Sequence, residues 1–232
     1  MDLFVSTYIQ MGEIFLSPEE SHHISKVLRF NIGQRLYLTD GKGTLAVGCL
    51  TRSHHRNAIV QVLEVTQQTR PKPIIHLYVS PTKATDRTEW LIEKATELGI
   101  GSINFVTCER TARKNINLER YYKIAIAAAK QSLNCYFPEV RFIPKLNHAL
   151  ETARGEKLFA FCEGEDRLAP QMWPINSGDY SLFIGPEGDF TPQEITVALS
   201  EGCKPVELGA LRLRTETAAL AGISFLRLRE QR

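Results

Sequence analysis

No GxGxxG or GxxxxGK[ST] occurs in the 232 residues, which removes the dinucleotide fingerprint, the glycine loop of Rossmann-type methyltransferases and the phosphate cradle of P-loop enzymes. GxSxG and HExxH are missing too, and with them the commonest hydrolase signatures. The 5 cysteines form no CxxC pair and are odd in number, so reduced thiols in a cytoplasm are expected rather than a disulfide framework. Apolar runs stay short, IAIAAA at 124–129 being among the longest, and MDLFVSTYIQ has no basic segment, so neither a membrane span nor a secretory signal is expected. An excess of one charge is also absent. With 28 Lys and Arg against 26 Asp and Glu, the net charge of +2 sets up no global field, and any nucleic-acid contact must rest on local patches. His22–His23 and His54–His55 are adjacent pairs, read here as strand neighbours pointing to opposite faces, so no metal cluster is expected.

What is present has two textures. Residues 1–70 run as short β-like segments, LFVS, then RLYLTD and TLAVGCL joined by GKG, then AIVQVLEV before the breaker RPKP, which predicts a small all-β domain. Residues 73–232 alternate apolar β-branched runs (IIHLYVS, INFVTC, LFAFC, SLFIG, PVEL) with helical stretches, which predicts an α/β domain around a mostly parallel sheet. Asp86 with Glu89 suggests a capping box, followed by an apolar stripe of Trp90, Leu91, Ala95 and Leu98 that stops at Gly99. Thr191, Pro192 and Glu194 place cap, first-turn proline and capping-box acid in register, with Gly202 at the far end.

SLFIGPEGDFTPQE at 181–194 is therefore a strand, a Gly-Pro-Glu-Gly turn and a helix start. Such a turn at the carboxyl edge of a parallel sheet is where α/β proteins bind ligands, and glycine lets backbone groups approach closely, although GPEG alone is equally a tight connection. LGALRLRTETAAL at 208–220 repeats the pattern with Arg212, Arg214 and Glu216, which suggests one shared pocket. Basic residues also cluster locally. His23, Lys26 and Arg29 fall in SHHISKVLRF, Lys83 and Arg87 at a strand end, and Arg110 and Arg113 in ERTARKN, a pattern that fits RNA held through phosphates while a separate pocket does chemistry.

FIGPEGDFTPQEI and LGALRLRTETAAL, with KATDRTEWLIEKATELGI and SHHISKVLRF upstream, resemble the RsmE family of 16S ribosomal RNA uridine-N3 methyltransferases over nearly the whole chain. The resemblance implies a PUA-like β-barrel followed by a SPOUT domain whose C-terminal part forms a trefoil knot. It also implies S-adenosylmethionine (S-adenosyl-L-methionine) held mostly by backbone groups, a homodimer with active sites at the subunit interface, and 16S ribosomal RNA in the small ribosomal subunit as substrate. Carried over by motif, Gly185, Pro186, Glu187 and Gly188 form one donor-binding loop, Leu208, Gly209, Leu211, Leu213 and Arg214 another, and Glu163 with Gly164 the third wall. A SPOUT enzyme acting on transfer RNA or another ribosomal RNA position, and a noncatalytic RNA-binding module, are the alternatives.

Uridine N3 carries a proton in its neutral form and is then a poor nucleophile, so transfer needs that proton removed and the charge growing on O2 or O4 stabilised. Arg214 is expected to stabilise the anion and Glu216 to assist or orient proton loss, unless Glu216 only caps its helix. Several positions depart from the family pattern: Asp2 and Leu3 stand where an arginine is usual, Lys130 and Asn134 replace an acid and an arginine around Gln131 and Ser132, Asp189 replaces a glycine, and an arginine has moved from 211 to 212.

Overall fold

The computed structural model describes residues 2–162, 164, 166–174 and 178–229, and the chain divides into two compact units. The first comprises Met1–Arg70 together with Ala129–Phe137, and the second Pro71–Ala128 with Pro138–Arg232.

In the first unit a five-stranded sheet has the order β1-β3-β4-β5-β2, where β1 is Leu3–Val5, β2 Gly12–Phe15, β3 Arg35–Thr39, β4 Thr44–Arg52 and β5 Ile59–Gln67. β1 pairs parallel with β3 and the other pairs are antiparallel. Alternate residues point inward, so Leu36 and Leu38, Ala46 and Leu50, and Val60 and Val62 close a core with Phe4, Ile24 and Phe30. The unit is not all β. Helix α1 (Pro18–His22), capped by Ser17 with proline at its start, runs on into a π turn over His23–Val27, so His22 and His23 are helical rather than strand neighbours. Ala129–Phe137 is stitched in by the Gly43 N–H donating to the Cys135 carbonyl (2.9 Å) and the Phe137 N–H to the Gly41 carbonyl (2.9 Å). The Lys130 ammonium bonds both oxygens of the buried Glu20 (2.7 and 2.9 Å) and lies over the Phe4 ring, which accounts for the base that stands where an acid is usual.

The second unit holds a six-stranded, wholly parallel sheet in the order β11-β9-β10-β6-β7-β8. Its strands are β6 (Ile75–Val79), β7 (Ser102–Val106), β8 (Glu139–Ile143), β9 (Glu156–Ala160), β10 (Tyr180–Ile184) and β11 (Lys204–Val206). Both faces are covered, as a parallel sheet requires. One face, carrying Leu77, Val79, Leu158, Leu182 and Ile184, packs on α2 (Thr85–Glu97) and α6 (Thr215–Arg229). The other, carrying Tyr78, Phe159 and Phe183, packs on α4 (Leu146–Thr152) and α5 (Pro192–Ser200). α3 (Leu118–Gln131) joins β7 to β8 and contributes Tyr121 and Ala125 to the first face.

The capping box expected at Asp86 and Glu89 does not form. Ala84 is the cap residue of α2 without a side-chain bond, and the Glu89 carboxylate instead takes two bonds from Arg120 (2.6 and 2.8 Å). Trp90 leaves the apolar stripe as well, being exposed while Leu91 and Ala95 are buried. At α5 the box is complete: Thr191 accepts from the Glu194 N–H (3.3 Å) and Glu194 from the Thr191 N–H (2.9 Å).

Candidate active site

Because β9, β10 and β11 are parallel neighbours in one sheet, the loops leaving their carboxyl ends fall together. They enclose a cavity of about 610 Å³ lined by Gly185, Pro186, Glu187 and Asp189 after β10, by residues 206–215 from the end of β11 to the start of α6, and by Phe161, Cys162 and Arg167 after β9. Four of its lining residues, Gly185, Pro186, Gly209 and Ala210, have side chains of little reach and no polarity, or none at all, which leaves their main chain open to a ligand. Gly209 has φ +119, a conformation that L side chains rarely adopt, and an added Cβ there would meet no protein atom within 4 Å. Thr215 opens α6 and donates its hydroxyl to the Gly185 carbonyl (3.1 Å), so the helix start is pinned under the first loop. Leu208 and Leu213 are half-buried in the wall, while Leu211, at 81% exposure, projects from it.

A second cavity, about 600 Å³, shares Glu187 with the first and is lined by Lys83, Ala84, Arg87, Arg110, Ala112 and Gly188. Two of its basic groups, Arg110 and Arg87, are held by the partition between the cavities and by α6, while Lys83 is held there by its main chain. The Lys83 N–H donates to Glu187 Oε1 (2.8 Å), Arg110 Nη1 donates to the Gly188 carbonyl (2.8 Å), and Arg87 Nε stands 3.7 Å from Glu216 Oε1. Glu216 is buried, and its Oε2 has no protein partner.

The residues expected to bind donor therefore divide. Gly185, Pro186, Glu187, Leu208, Gly209, Leu211, Leu213 and Arg214 line the first cavity, whereas Gly188 lines the second. Gly164 is exposed and does not line the first cavity, its carbonyl accepting from Arg167 Nε (3.0 Å), and Glu163 lies outside the described residues. Arg214 is exposed at the first cavity, and Glu216 reaches the second only through Arg87. Lys83, Arg87 and Arg110 come together as a basic wall. Arg113 does not join them: its guanidinium bonds the Thr85 hydroxyl and the Asn115 carbonyl. In the first unit Lys26 and Arg29 are exposed, Arg29 at φ 53, and His23 is half-buried against the Phe4 ring, its Nδ1 4.0 Å from Glu20.

Arg167, like Phe161 and Cys162, is a wall residue that sequence reasoning missed. It bonds the Phe161 carbonyl (2.8 Å) and approaches Glu207 (3.9 Å), contacts for which local sequence holds no signal. Burial pushes the Cys108 thiol up to about 12 and the Cys203 thiol up to about 11, which disfavours the thiolate at both, and neither lines either of these cavities. Among the described residues no cluster of His, Cys, Asp or Glu could hold a metal ion, and no helix is long and apolar enough to cross a membrane.

A parallel sheet with a glycine-containing cavity at its carboxyl edge and a basic cavity beside it defines an α/β ligand-binding domain. Family models for an RNA methyltransferase domain and an RNA methyltransferase PUA domain match residues 69–227 and 16–63. The chain is 30% identical over 224 residues to ribosomal RNA small subunit methyltransferase E of Synechocystis, covering 92% of this chain and 73% of that one. Among solved structures, a probable rRNA-methyltransferase from Porphyromonas gingivalis superposes with a TM-score of 0.91 at 33% identity, covering 99% of this chain and 100% of that one. Ribosomal RNA small subunit methyltransferase E from Neisseria gonorrhoeae, solved bound to S-adenosyl methionine, gives 0.89 at 29% identity, covering 99% and 98%. The chain belongs to the ribosomal RNA small subunit methyltransferase E family of RNA methyltransferases.

Proposed function

We propose that this protein is an S-adenosylmethionine-dependent methyltransferase that modifies N3 of a uridine in 16S ribosomal RNA, acting on the small ribosomal subunit in the cytoplasm. The observation that carries the reading is the pair of cavities sharing Glu187, one lined by the loops after β9, β10 and β11 with Gly185, Leu208, Gly209 and Leu213, the other by Lys83, Arg87 and Arg110. The first suits the donor on size and chemistry. Its 610 Å³ falls within the range of small-molecule sites, its aliphatic wall (Leu208, Leu213) suits a purine, and its main-chain groups suit the polar edges of a nucleoside. Gly185, Pro186, Glu187, Leu208, Gly209, Leu211, Leu213 and Arg214 would hold it. When bound, S-adenosylmethionine supplies an electrophilic methyl group on a sulfonium.

The remaining work falls to the chain's own residues. Lys83, Arg87 and Arg110 hold the phosphates around a uridine turned out of its stack, since its pairing edge is otherwise covered. Arg214, on the donor side, stabilises the negative charge that develops on the base as N3 loses its proton. Glu216 orients this step rather than taking the proton directly, the N3 proton passing to solvent water as the methyl group leaves the sulfonium sulfur: its buried carboxylate stands 3.7 Å from Arg87, and through it steadies the cationic wall. Within the first unit, Lys26 and Arg29 are separate candidates for phosphate contacts, as is His23. We assign residues 1–70 to a PUA-like barrel that grips RNA and 73–232 to the SPOUT methyltransferase domain. The trefoil knot is supported by the path of the chain, which leaves β11 at the sheet edge and returns through residues 207–214 so that α6 packs on β10 with Thr215 held to Gly185. A homodimer is part of the same proposal, with Leu211, exposed at the cavity, as a residue to be checked for burial by a second copy.

Labelled methyl transfer to small subunits from a methylation-deficient strain, followed by mapping of reverse-transcriptase stops, tests the reading. One strong stop at a uridine is expected, because an N3 methyl blocks the pairing edge. Incorporation into free RNA but not into subunits would replace the proposed substrate, and incorporation into neither would remove the enzymatic reading.

A further inference from the structure

We infer that Asp189 is a positioning residue that holds the third wall of the donor cavity, an inference that rests on the reading of that cavity as the methyl-donor site. Asp189 has φ 63, the left-handed region where glycine is the undemanding choice, and it stands where the resembled family has glycine. Its backbone explains the turn: the Asp189 N–H donates to the Pro186 carbonyl (2.9 Å), closing Pro186–Asp189. Its side chain reaches further. Oδ1 accepts from the next N–H, that of Phe190 (2.8 Å), and Oδ2 accepts from the Cys162 N–H (2.8 Å), 27 residues away in sequence.

The second bond continues the sheet by other means. β9 and β10 are paired to Ala160 opposite Ile184, and beyond that register the strands separate around the cavity. There a carboxylate supplies the acceptor that the backbone ladder has ceased to supply. Phe190, next to Asp189, packs its ring 4.1 Å from that of Phe159 and so fixes the same junction from the apolar side. From the opposite direction Arg167 bonds the Phe161 and Gly164 carbonyls and faces Glu207. The loop after β9 is therefore tied to the β10 loop by Asp189 and to the β11 segment by Arg167, and both tying residues line the cavity. A glycine at 189 would relieve the backbone conformation but leave the Cys162 N–H without this acceptor. Donor binding would then have to order the wall itself, which weakens affinity without touching the reacting atoms.

The test compares Asp189→Gly and Asp189→Asn with the parent, using calorimetric titration with S-adenosylmethionine, amide hydrogen exchange of the loop after β9 without donor, and steady-state kinetics on subunits. For Asp189→Gly, a donor Kd and KM raised about tenfold, faster exchange at Cys162 and kcat at saturating donor within about twofold are expected, the scale of one charge-assisted hydrogen bond. Asp189→Asn tolerates the conformation but has one acceptor oxygen for the two N–H groups, so its donor Kd should fall between those of the parent and Asp189→Gly. Parental affinity and exchange in Asp189→Gly would overturn the inference, as would an Asp189→Asn whose donor Kd matched that of Asp189→Gly while its Cys162 exchange stayed parental, because affinity would then not follow the tether. A parent that binds no donor would overturn the cavity assignment itself and with it the role given to Asp189. Faster exchange at Cys162 in Asp189→Gly would distinguish that failure from the absence of a tether.

Discussion

Glu216 sits in the first turn of α6 with one carboxylate oxygen 3.7 Å from Arg87 and the other buried without a protein partner. A helix start favours a negative charge, so Glu216 also suits its place structurally, and the two roles must be separated by measurement. Glu216→Gln keeps the volume and removes the charge that holds Arg87. Donor affinity should be unchanged, because Glu216 does not line the donor cavity, while kcat/KM for subunits falls by about 10- to 100-fold, the scale of about 1.4 to 2.7 kcal/mol. Parental turnover in this variant would reduce Glu216 to a helix-start residue. The capping residues Thr191 and Glu194 were legible in the sequence because a cap is a contact over three positions. The bond from Cys162 to Asp189 spans 27 positions and the one from Arg113 to Thr85 spans 28, and no local pattern encodes such a choice. For the same reason the sequence could mark Arg87 as basic and Glu216 as acidic, but not their pairing.

Among elements, α6 matters most to the site, because it carries Thr215 and Glu216 and packs on β10. The approach is close at Gly222, where an added Cβ would lie 2.6 Å from Leu182 Cδ2 and 3.5 Å from Cδ1. Leu182 is fully buried at the centre of the sheet, so rotating its side chain only moves the clash. Gly222→Ala gains about 1 kcal/mol of helix propensity and loses about 1 to 3 kcal/mol to overpacking. A net destabilisation of about 1 kcal/mol is expected from chemical denaturation, together with weaker donor binding as α6 lifts Leu208, the next atom met by that Cβ, away from the wall. A variant more stable than the parent would show that the core yields there. Alternating strands and helices made most of the second unit readable, since β6, β7, β9, β10 and β11 each carry an apolar run. Shorter or more polar elements escaped. β2 has 4 residues and contains a glycine, α1 has 5, and β8 alternates exposed and half-buried positions without a buried one. Alternation also predicts parallel strands without saying which lies beside which, so the order β11-β9-β10-β6-β7-β8 came only with the structure.

At the scale of the whole molecule, the charge balance limits how RNA can be held. A net charge of +2 provides almost no long-range attraction, so affinity must come from the few cations placed at the site. The second cavity holds three cations, of which Arg87 already faces Glu216, so the phosphates it neutralises number about two to three, with Lys26 and Arg29 of the first unit adding about two. Each neutralised phosphate contributes about 0.7 to 0.9 to the slope of log K against log salt, which gives a slope of about −3 to −5. That is shallow for a protein acting on a polyanion. Fluorescence anisotropy with an RNA fragment carrying the modified uridine, from low to moderate salt, measures it directly. Lys83→Ala should lessen the slope by about 0.8, since it removes one ammonium and leaves the backbone bond to Glu187 in place. Arg110→Ala should lessen it by the same amount and also perturb donor binding, because Gly188 loses its guanidinium partner in the turn between the cavities. If both variants kept the parental slope, RNA would be held elsewhere on the molecule, and the basic cavity would have to be reassigned from grip to catalysis.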